Sequence, residues 1–453
     1  SIADADHHVS IYPPTSTQSI LLFDNHSTMR SFLFLATACL MAALAAPAHG
    51  ATEGAARFNL FASLDSAMTV PTAVTNEGNG GFLFTYTPSS RLLKWWGVYA
   101  GTGTVTAGHI HGPASVGRTA GVQVNLNVVG NTPSSGNTTL TATQAADLLA
   151  GKYYVNLHSS ANPSGTTRGQ IHIAGGQSFR LLASNEVPPV TTGVARTGYA
   201  QADLSASGSF SYTVTTTSLL AQSAVTGLHL HGPANTSANA GVIQSLTVWS
   251  EASNMSTGSH QLSASNAAHV ADGKTYFNLH TSAVTSGALR GNLLATVTFV
   301  AQLSPEFETT APTGVTASMR GVGMVNLYPT SKMVRITLHT TSGTMTGQTG
   351  ENCHLHEGAA GTDGSVAAVI CTGCNGASFT VTASLTDSQI TKLNNGEMYF
   401  NCHNSANAGG FMRGQAYPVQ SAQGSTSGAA NVAANAPFAV FLAVAATLLS
   451  RRV

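Results

Sequence analysis

The sequence contains few charged residues. Only 8% of its 453 residues are charged, and the formal net charge at pH 7 is zero. It has no basic patch, which argues against nucleic acid as a partner, and no long run of one charge that would form an electrostatic tail. Low charge combined with ordinary hydrophobicity also argues against disorder over most of the chain.

Cysteine is scarce and unevenly placed. Of the five cysteines, Cys39 lies near the start, and the other four lie in the last third at positions 353, 371, 374 and 402. An even set in a secreted chain predicts two disulfides, and four cysteines allow three pairings. A metal or redox role for the Cys371-x-x-Cys374 pair is the alternative.

Long apolar runs are confined to the two ends. Residues 29–50 combine a short positive start, an apolar core and an Ala-x-Ala site, which is typical of a signal peptide. Residues 1–28 precede Met29, the first residue of this segment, and we expect them to be a non-native leader. Residues 421–453 form a small-residue spacer and an apolar tail shorter than the roughly 20 residues of a membrane span. This tail predicts a removable lipid-anchor signal, with a short membrane anchor or sorting tail as the alternative. We therefore expect a secreted or surface-tethered protein.

One unit of about 120 residues occurs three times. The sequence GHIHGPA begins at residue 108, LHLHGPA at 228 and CHLHEGA at 353. Each His-x-His pair is followed by a Val-rich run, a short helical run, an aromatic Asn-x-His strand and an Arg-Gly pair. This repetition predicts tandem domains over residues 55–176, 177–297 and 298–420.

Each unit is predicted to be all-β with one short helix. Six to eight short alternating runs per unit favour an antiparallel Greek-key β-sandwich or barrel. The helix is expected to begin after Thr141, Ser263 or Thr386, whose side chains can accept from a free backbone N–H. Gln144 and Gln389 would complete capping boxes. The glycines at 151, 273 and 396 suit a left-handed residue at the helix end.

These landmarks together resemble the CHRD domain, the module first described in chordin. The resemblance rests on Leu182-Ala-Ser-Asn-Glu-Val-Pro-Pro-Val, the His-x-His-Gly-Pro-Ala stretch, the Gly-Lys-x-Tyr-x-Asn-x-His strand and the closing Gly-x-x-Arg-Gly. It covers almost all of residues 55–420 and is clearest in the second copy. The first copy lacks the Glu-Val-Pro-Pro start, and the third replaces Gly-Pro with Glu357-Gly358. The resemblance implies an extracellular module. Chordin's cysteine-rich modules are missing from this sequence, so growth-factor binding is not carried over.

The histidines predict a metal site in each copy. Residues i and i+2 of a strand point to one face, so the paired imidazoles project together, and the later histidine can join them from a neighbouring strand. Three imidazoles with an open fourth position suit zinc or copper. The alternative is a structural cluster that only hydrogen-bonds turns. The predicted ligands are His109, His111 and His158; His229, His231 and His280; and His354, His356 and His403.

A second resemblance concerns copper/zinc superoxide dismutases. These β-sandwiches also carry a His-x-His strand, a later histidine and a Gly-x-x-Arg near the end. By this resemblance Arg168, Arg290 and Arg413 are candidate anion-guiding groups. The sequence lacks the cluster of zinc ligands and the bridging histidine. An enzyme of this kind would therefore have to use copper alone.

The remaining predictions concern packing and modification. If the two strands are neighbours, alternation favours the disulfides Cys353–Cys402 and Cys371–Cys374, with a Cys353–Cys371 pairing as the alternative. Asn137, Asn235 and Asn254 fit the N-glycosylation pattern. Trp95 and Trp96 are expected in the core, with carbohydrate stacking as the alternative. Four histidines do not recur between copies, and we expect them on the surface: His172, His260, His269 and His339.

Three functions fit these observations. The first is a binding or structural protein at the cell surface, with copper or zinc in each domain and an extracellular protein, matrix or cell-wall component as partner. The second is a copper-only oxidoreductase that resembles superoxide dismutase. The third is self-assembly, because tandem sandwiches can pair their edge strands. The membrane is expected to be a partner only through the C-terminal anchor.

Overall fold

Short antiparallel strands make up each of three repeated modules. The computed structural model describes residues 59–419, apart from 76, 102, 129, 174, 192–196, 218–223, 248, 317 and 342–351. The predicted leader, signal peptide and C-terminal tail lie outside the described residues. No helix within the described part is long and apolar enough to cross a membrane.

Module 1 begins with three strands joined by hairpins. Its elements are β1 Leu60–Asp65, β2 Gly78–Thr87, β3 Leu92–Gly101, β4 Val105–His111, β5 Val122–Asn125, β6 Ser134–Thr139, α1 Ala142–Leu149, β7 Tyr154–Ser159, β8 Thr167–Gln170 and β9 His172–Ile173. A one-turn 3-10 helix, Ser66–Met68, follows β1.

Module 2 repeats this order of elements. It consists of β10 Gln177–Leu182, β11 Thr197–Leu204, β12 Ser209–Thr216, β13 Val225–His231, β14 Val242–Ser245, β15 Met255–Gln261, α2 Ala264–Ala271, β16 Tyr276–Thr281 and β17 Leu289–Asn292. A 3-10 helix follows β10 at Ala183–Asn185.

Module 3 has the same plan and two disulfides. Its elements are β18 Val297–Leu303, β19 Gly321–Tyr328, β20 Met333–Thr340, β21 Asn352–Glu357, β22 Val366–Thr372, β23 Ser378–Ser384, α3 Asp387–Asn394, β24 Met398–Asn404, β25 Asn407–Gln415 and β26 Tyr417–Pro418. A 3-10 helix follows β18 at Pro305–Phe307.

The strand order divides each module into two halves. In module 1 the order is β5-β4-β7-β8-β1-β2-β3-β6, and module 2 follows it strand for strand as β14-β13-β16-β17-β10-β11-β12-β15. In module 3 the halves are separate sheets, β22-β21-β24-β25 and β23-β20-β19-β18-β26. We call the four strands that include the His-x-His strand the histidine half of each module. They are β5-β4-β7-β8, β14-β13-β16-β17 and β22-β21-β24-β25. All pairings are antiparallel, so the predicted all-β, tandem-domain fold is confirmed.

Alternation of side chains produces a core in each module. On β20, Val334, Ile336 and Leu338 are fully buried, as expected where every second residue of a strand faces inward. Each module has its own apolar cluster. Each helix follows the last strand of the other half and precedes the Asn-x-His strand of the histidine half. The helices begin at the predicted caps. Thr141 and Thr386 form complete capping boxes with Gln144 and Gln389.

The three modules also pack against one another. Phe61, Leu83 and Val98 of module 1 share an apolar cluster with Val300 and Val322 of module 3. A second cluster joins module 1 to Tyr199 of module 2. Polar contacts reinforce that junction: the Thr215 hydroxyl donates to the Val116 carbonyl at 2.8 Å. These contacts hold the repeats together as packed neighbours.

Candidate metal sites

The histidines lie on the outer face of each histidine half. Ile110, between His109 and His111, is fully buried in the core, so both imidazoles point away from it. Leu230 and Leu355 occupy the same position in the other modules and are also fully buried. Because β4 pairs with β7, the third histidine stands on the adjacent strand, with Ala107 opposite His158. The same pairing joins β13 to β16 and β21 to β24.

Each set of three histidines converges on one point. In every module, one ring nitrogen from each of the three histidines lies within 4.8 Å of the others. The Nε2 atoms of His111 and His158 are 3.4 Å apart, and those of His356 and His403 are 3.3 Å apart. The structure therefore brings together all nine histidines that the sequence assigns to the sites, in the predicted groups of three.

Backbone carbonyls fix the tautomer of two histidines in each module. The Nδ1 atom of His111 lies 2.9 Å from the Ala120 carbonyl, and that of His158 lies 2.9 Å from the Pro163 carbonyl. A carbonyl only accepts, so each Nδ1 carries the hydrogen and each Nε2 has a free lone pair. The same bonds recur in module 2 and in module 3. Two lone pairs thus face each other in modules 1 and 3. In module 2 the Nε2 atoms of His231 and His280 are buried and have no hydrogen-bond partner among the described residues.

The first histidine of each pair has a different free nitrogen. The Nδ1 atoms of His109, His229 and His354 are buried and have no hydrogen-bond partner among the residues that the structure describes. A buried polar atom without a partner is costly unless water, an ion or a ligand satisfies it. The imidazoles therefore offer three nitrogens in each module whose bonding capacity the protein leaves unused.

Burial keeps most of these imidazoles neutral. It lowers the pKa of seven of the nine, and that of His354 falls to about 4. The other six are His109, His111, His229, His231, His356 and His403. The neutral imidazole is the form that binds metal.

A tyrosine and an arginine stack in a row beside the histidines of each site. The Tyr154 ring stacks on His111 with centroids 5.3 Å apart and planes 13° apart. The Arg168 guanidinium lies 3.5 Å from the centroid of the same tyrosine ring. Because β7 runs between β4 and β8, the tyrosine stands between the imidazole and the guanidinium. Tyr276 with Arg290, and Tyr399 with Arg413, repeat this arrangement.

The three arginines are buried, and those of modules 2 and 3 hold the loop after the His-x-His strand. Arg290 donates from Nη2 to the carbonyls of Asn235 and Ala238 at 3.0 and 2.9 Å. Arg413 donates to the Thr362 carbonyl at 2.9 Å and contacts the Asp363 carboxylate at 3.2 Å. The bonds in modules 2 and 3 give these residues a packing role. Their anion-guiding role stays a prediction.

The tyrosines were not assigned a role from the sequence, although a signal for them was present. Tyr154 precedes His158 by four residues on one strand, so alternation puts both on the same face. Asn156 lies between them and pairs across the sheet with His109. Its Nδ2 donates to the Ser164 carbonyl at 3.1 Å, which ties down the loop that also binds His158. Counting alternate residues back from His158 would have found both Asn156 and Tyr154.

The cysteines form the two favoured disulfides. Cys353 bonds to Cys402 across β21 and β24, and Cys371 bonds to Cys374 within a short loop. Cys353 and Cys402 are fully buried, on the core side of the strands that carry His354 and His403. Although the sulfurs of three of these cysteines lie within 4.8 Å of one another, disulfide sulfur is not the thiolate that binds metals.

Two of the four non-recurring histidines contradict the surface prediction. His172 and His339 are each only 4% exposed. The packing of modules against one another, which the sequence does not reveal, covers both of them. Burial lowers the pKa of His172 to about 3 and that of His339 to about 4. His260 and His269 are partly buried, and His260 stacks on the Tyr212 ring.

Other predicted residues have ordinary environments. Trp95 is buried and its Nε1 donates to the Ser134 hydroxyl, which supports the core interpretation. Trp96 packs against the apolar cluster between modules 1 and 3. Asn137 and Asn235 are exposed and Asn254 is partly buried. Their glycosylation stays a prediction.

Comparisons with known proteins place the chain in a family. No curated protein matches it. A solved structure of transferrin binding protein B, a vaccine-antigen mutant from Haemophilus parasuis, is 8% identical, with 80% of this chain and 75% of that chain covered. Its TM-score of 0.10 carries no argument about fold or function. The CHRD domain matches residues 60–171, 178–293 and 299–416, which together span most of the sequence. The chain therefore belongs to the CHRD domain family and carries three tandem copies of the domain.

Proposed function

We propose that this protein is a secreted or cell-surface binding protein in which each CHRD domain holds one transition-metal ion, copper or zinc. The observation that carries the proposal is the pair of facing Nε2 lone pairs, 3.4 Å apart in module 1 and 3.3 Å apart in module 3. Two such lone pairs repel each other unless a cation lies between them.

The spacing fits a metal ion. Two nitrogens that are each roughly 2.0–2.1 Å from a tetrahedral ion lie about 3.3–3.4 Å apart. A proton shared between the two Nε2 atoms would instead require one ring to be a charged imidazolium, because both Nδ1 atoms already carry hydrogens that they donate to carbonyls. Burial disfavours that charge by lowering the pKa of His111, His356 and His403. The neutral, facing nitrogens therefore support a metal over a purely structural histidine cluster.

The rest of the site supports the same interpretation. The third nitrogen, Nδ1 of the first histidine, has no partner among the described residues. The hydrogen bonds from the two Nδ1 atoms to backbone carbonyls hold these rings in place, as such bonds do for metal-binding imidazoles. Three imidazole ligands with one open position suit zinc or copper.

Metal analysis of the purified chain tests the proposal. We expect close to three equivalents of zinc or copper per chain after loading and desalting. The triple variant His111→Ala, His231→Ala, His356→Ala should retain almost none. The control His260→Ala, His269→Ala removes two histidines outside the sites and should retain all three. Equal metal content in both variants, or none in the parent chain, would leave only the structural role.

A copper-only oxidoreductase is the second candidate. It is favoured by the partial exposure of His109 and His158, which leaves the open coordination position reachable from solvent. The copper-loaded chain would then accelerate superoxide removal, and Arg168→Gln, Arg290→Gln and Arg413→Gln would reduce the rate per bound copper by weakening anion attraction. A copper-loaded chain with no more activity than free histidine-bound copper would eliminate this candidate.

Self-association is the third candidate. The strand next to each His-x-His strand ends the sheet, and its first valine is about half exposed at Val122, Val242 and Val366. Exposed edge strands can pair with another copy. Light scattering and electron microscopy should reveal oligomers or filaments that the triple valine-to-lysine variant abolishes. A parent chain that stays monomeric at high concentration would argue against it.

The location of the protein is part of the proposal. The two disulfides are typical of proteins in an oxidising environment, and the predicted signal peptide and lipid-anchor tail agree with it. Mass spectrometry of the mature termini tests this. Loss of residues 1–50 and of the apolar tail is expected, and retention of both would contradict it.

A further inference from the structure

Three cysteine sulfurs from two different disulfides lie together in module 3. The Sγ atoms of Cys353, Cys371 and Cys374 are all within 4.8 Å of one another. Cys353 bonds to Cys402, whereas Cys371 and Cys374 bond to each other. The two disulfides are therefore separate covalent links that are close neighbours in space.

Strand pairing places Cys353 between two possible partners. It lies on the middle strand β21, opposite Cys402 of β24 on one side and opposite Cys371 of β22 on the other. Directly opposite residues of antiparallel strands have Cα atoms about 4.5–5.5 Å apart, which is within the range of about 4.4–6.8 Å that a disulfide spans. The strand arrangement therefore suits a Cys353–Cys371 bond as well as the Cys353–Cys402 bond.

The two disulfides differ in their access to solvent. Cys353 and Cys402 are fully buried, and Cys374 is only 2% exposed. Cys371 is partly buried, and Thr372 and Gly373, which follow it, are exposed. A thiol in solution can therefore approach the Cys371–Cys374 bond at Cys371, whereas the core shields the Cys353–Cys402 bond.

The fold does not depend on cysteine at these positions. Modules 1 and 2 build the same histidine half, and their residues at the position of Cys402 are Leu157 and Leu279, which are fully buried. Leucine therefore meets the packing requirement. The Cys371–Cys374 disulfide joins residues only three apart in the sequence, so it constrains the unfolded chain less than a longer loop would. The pair of adjacent disulfides is consequently a feature of module 3 that packing alone does not explain.

We propose that module 3 contains a thiol–disulfide exchange site whose substrate is a dithiol in solution. The dithiol reduces the Cys371–Cys374 bond and is itself oxidised to a disulfide, which leaves thiols on Cys371 and Cys374. The Cys371 thiolate then attacks the Sγ atom of Cys353. The Cys353–Cys371 bond forms as the Cys353–Cys402 bond breaks, and the departing Cys402 sulfur takes up the proton that Cys371 released. The two hydrogens from the dithiol thus end on Cys374 and Cys402.

The exchange moves a covalent link from one strand pair to another. Before the exchange, the link joins β21 to β24, the strands that carry His354 and His403. Afterwards it joins β21 to β22. The inference goes beyond the proposed metal binding, because the sulfurs of Cys353 and Cys402 lie on the core side of these strands. It is therefore tested with EDTA present.

Partial reduction of the purified chain tests the proposal. The chain is incubated with one equivalent of dithiothreitol, and free thiols are then trapped with N-ethylmaleimide in acidic denaturant. Peptide mass spectrometry identifies the labelled cysteines and the remaining cross-link. We expect labels on Cys374 and Cys402 together with a Cys353–Cys371 cross-link. Labels confined to Cys371 and Cys374, or no label on any of the four cysteines, would overturn the proposal.

Two variants establish the route by which Cys402 is reduced. In Cys371→Ser, Cys374→Ser the attacking thiol is missing, so labelling of Cys402 should be slower than in the parent chain by a factor of about ten or more. Equal rates in the two chains would show that the dithiol reduces the buried bond directly, and the exchange would be refuted.

The single variant Cys374→Ser leaves Cys371 as a free thiol from the start. Part of the purified variant should then carry its free thiol on Cys402 without any added dithiol. A free thiol found on Cys371 alone would contradict the exchange. This variant preserves the test if the double serine variant fails to fold.

Discussion

Replacing Arg290 with methionine should weaken metal binding at the second site, because it releases the loop that orients His231. The side chain is fully buried against the Tyr276 ring, 3.6 Å from its centroid. It donates to the carbonyls of Asn235 and Ala238. Methionine fills similar space and makes none of these contacts. The same loop continues to Ala240, whose carbonyl accepts from His231 Nδ1 at 2.9 Å.

The expected loss of stability follows from these contacts. Hydrogen bonds from a charged donor contribute about 1.5–3 kcal/mol each, and a desolvated cation–π contact contributes about 2 kcal/mol. The loop is exposed, so water replaces part of the lost hydrogen bonding, and burial of the charge is relieved. We expect the free energy of unfolding to fall by about 3 kcal/mol in total. Methionine at exposed Lys94 is the control and should change the free energy of unfolding by less than about 0.5 kcal/mol.

The effect on metal binding is the sharper test. Contacts that orient a metal-binding histidine typically change affinity by about 10–100-fold. Zinc titration is performed in a chain where His111→Ala and His356→Ala disable the other two sites, with and without Arg290→Met. We expect weaker binding by a factor in that range. If stability falls while the zinc affinity stays the same, the loop does not orient His231 and the reasoning is wrong.

Three further predictions concern stability. Burial lowers the pKa of His339 to about 4, below the value of about 6.5 in the unfolded chain. The unfolded chain therefore binds more protons between these pH values, and His339 alone should contribute a fall in stability of about 1.4 kcal/mol per pH unit as the pH drops from 6.5 to 4. The other histidines with lowered pKa values, such as His172, add to the same slope. His339→Asn should flatten that slope in denaturant titrations, and an unchanged slope would contradict the assignment. Removing the Cys353–Cys402 disulfide, which closes 49 residues, by a double alanine change should cost about 4 kcal/mol, against about 2 kcal/mol for the Cys371–Cys374 pair; equal losses in chemical denaturation would refute the loop-length argument. Thr386→Ala removes the side-chain cap of α3 and should cost about 1 kcal/mol, and a thermal midpoint equal to that of the parent chain would show that the cap contributes nothing.

Local periodicity was enough to predict each histidine pair and each helix. His109 and His111 share a face because Ile110 between them belongs to the core, and this follows from the strand repeat alone. The caps at Thr141 and Thr386 were also correct, because capping depends on residues within one turn. The disulfide Cys353–Cys402 followed from the same alternation once β21 and β24 were assumed to be neighbours.

Contacts between modules could not be predicted in this way. His172 and His339 look like surface residues in sequence, yet both are buried where modules pack together. The apolar cluster between modules 1 and 3 likewise joins strands that are far apart in the sequence, such as β1 and β18. No local pattern reports which faces of separate repeats will meet.

Packing between the repeats has an evolutionary consequence. A duplicated domain brings its histidines with it, so each new copy carries a complete set of three. The apolar contact of Phe61 with Val300 and Val322 is different, because no single copy contains it. It arises only once the chain holds three copies, and it then constrains the mutual orientation of the first and the third. Relatives with one or two domains would carry the histidines but lack that contact.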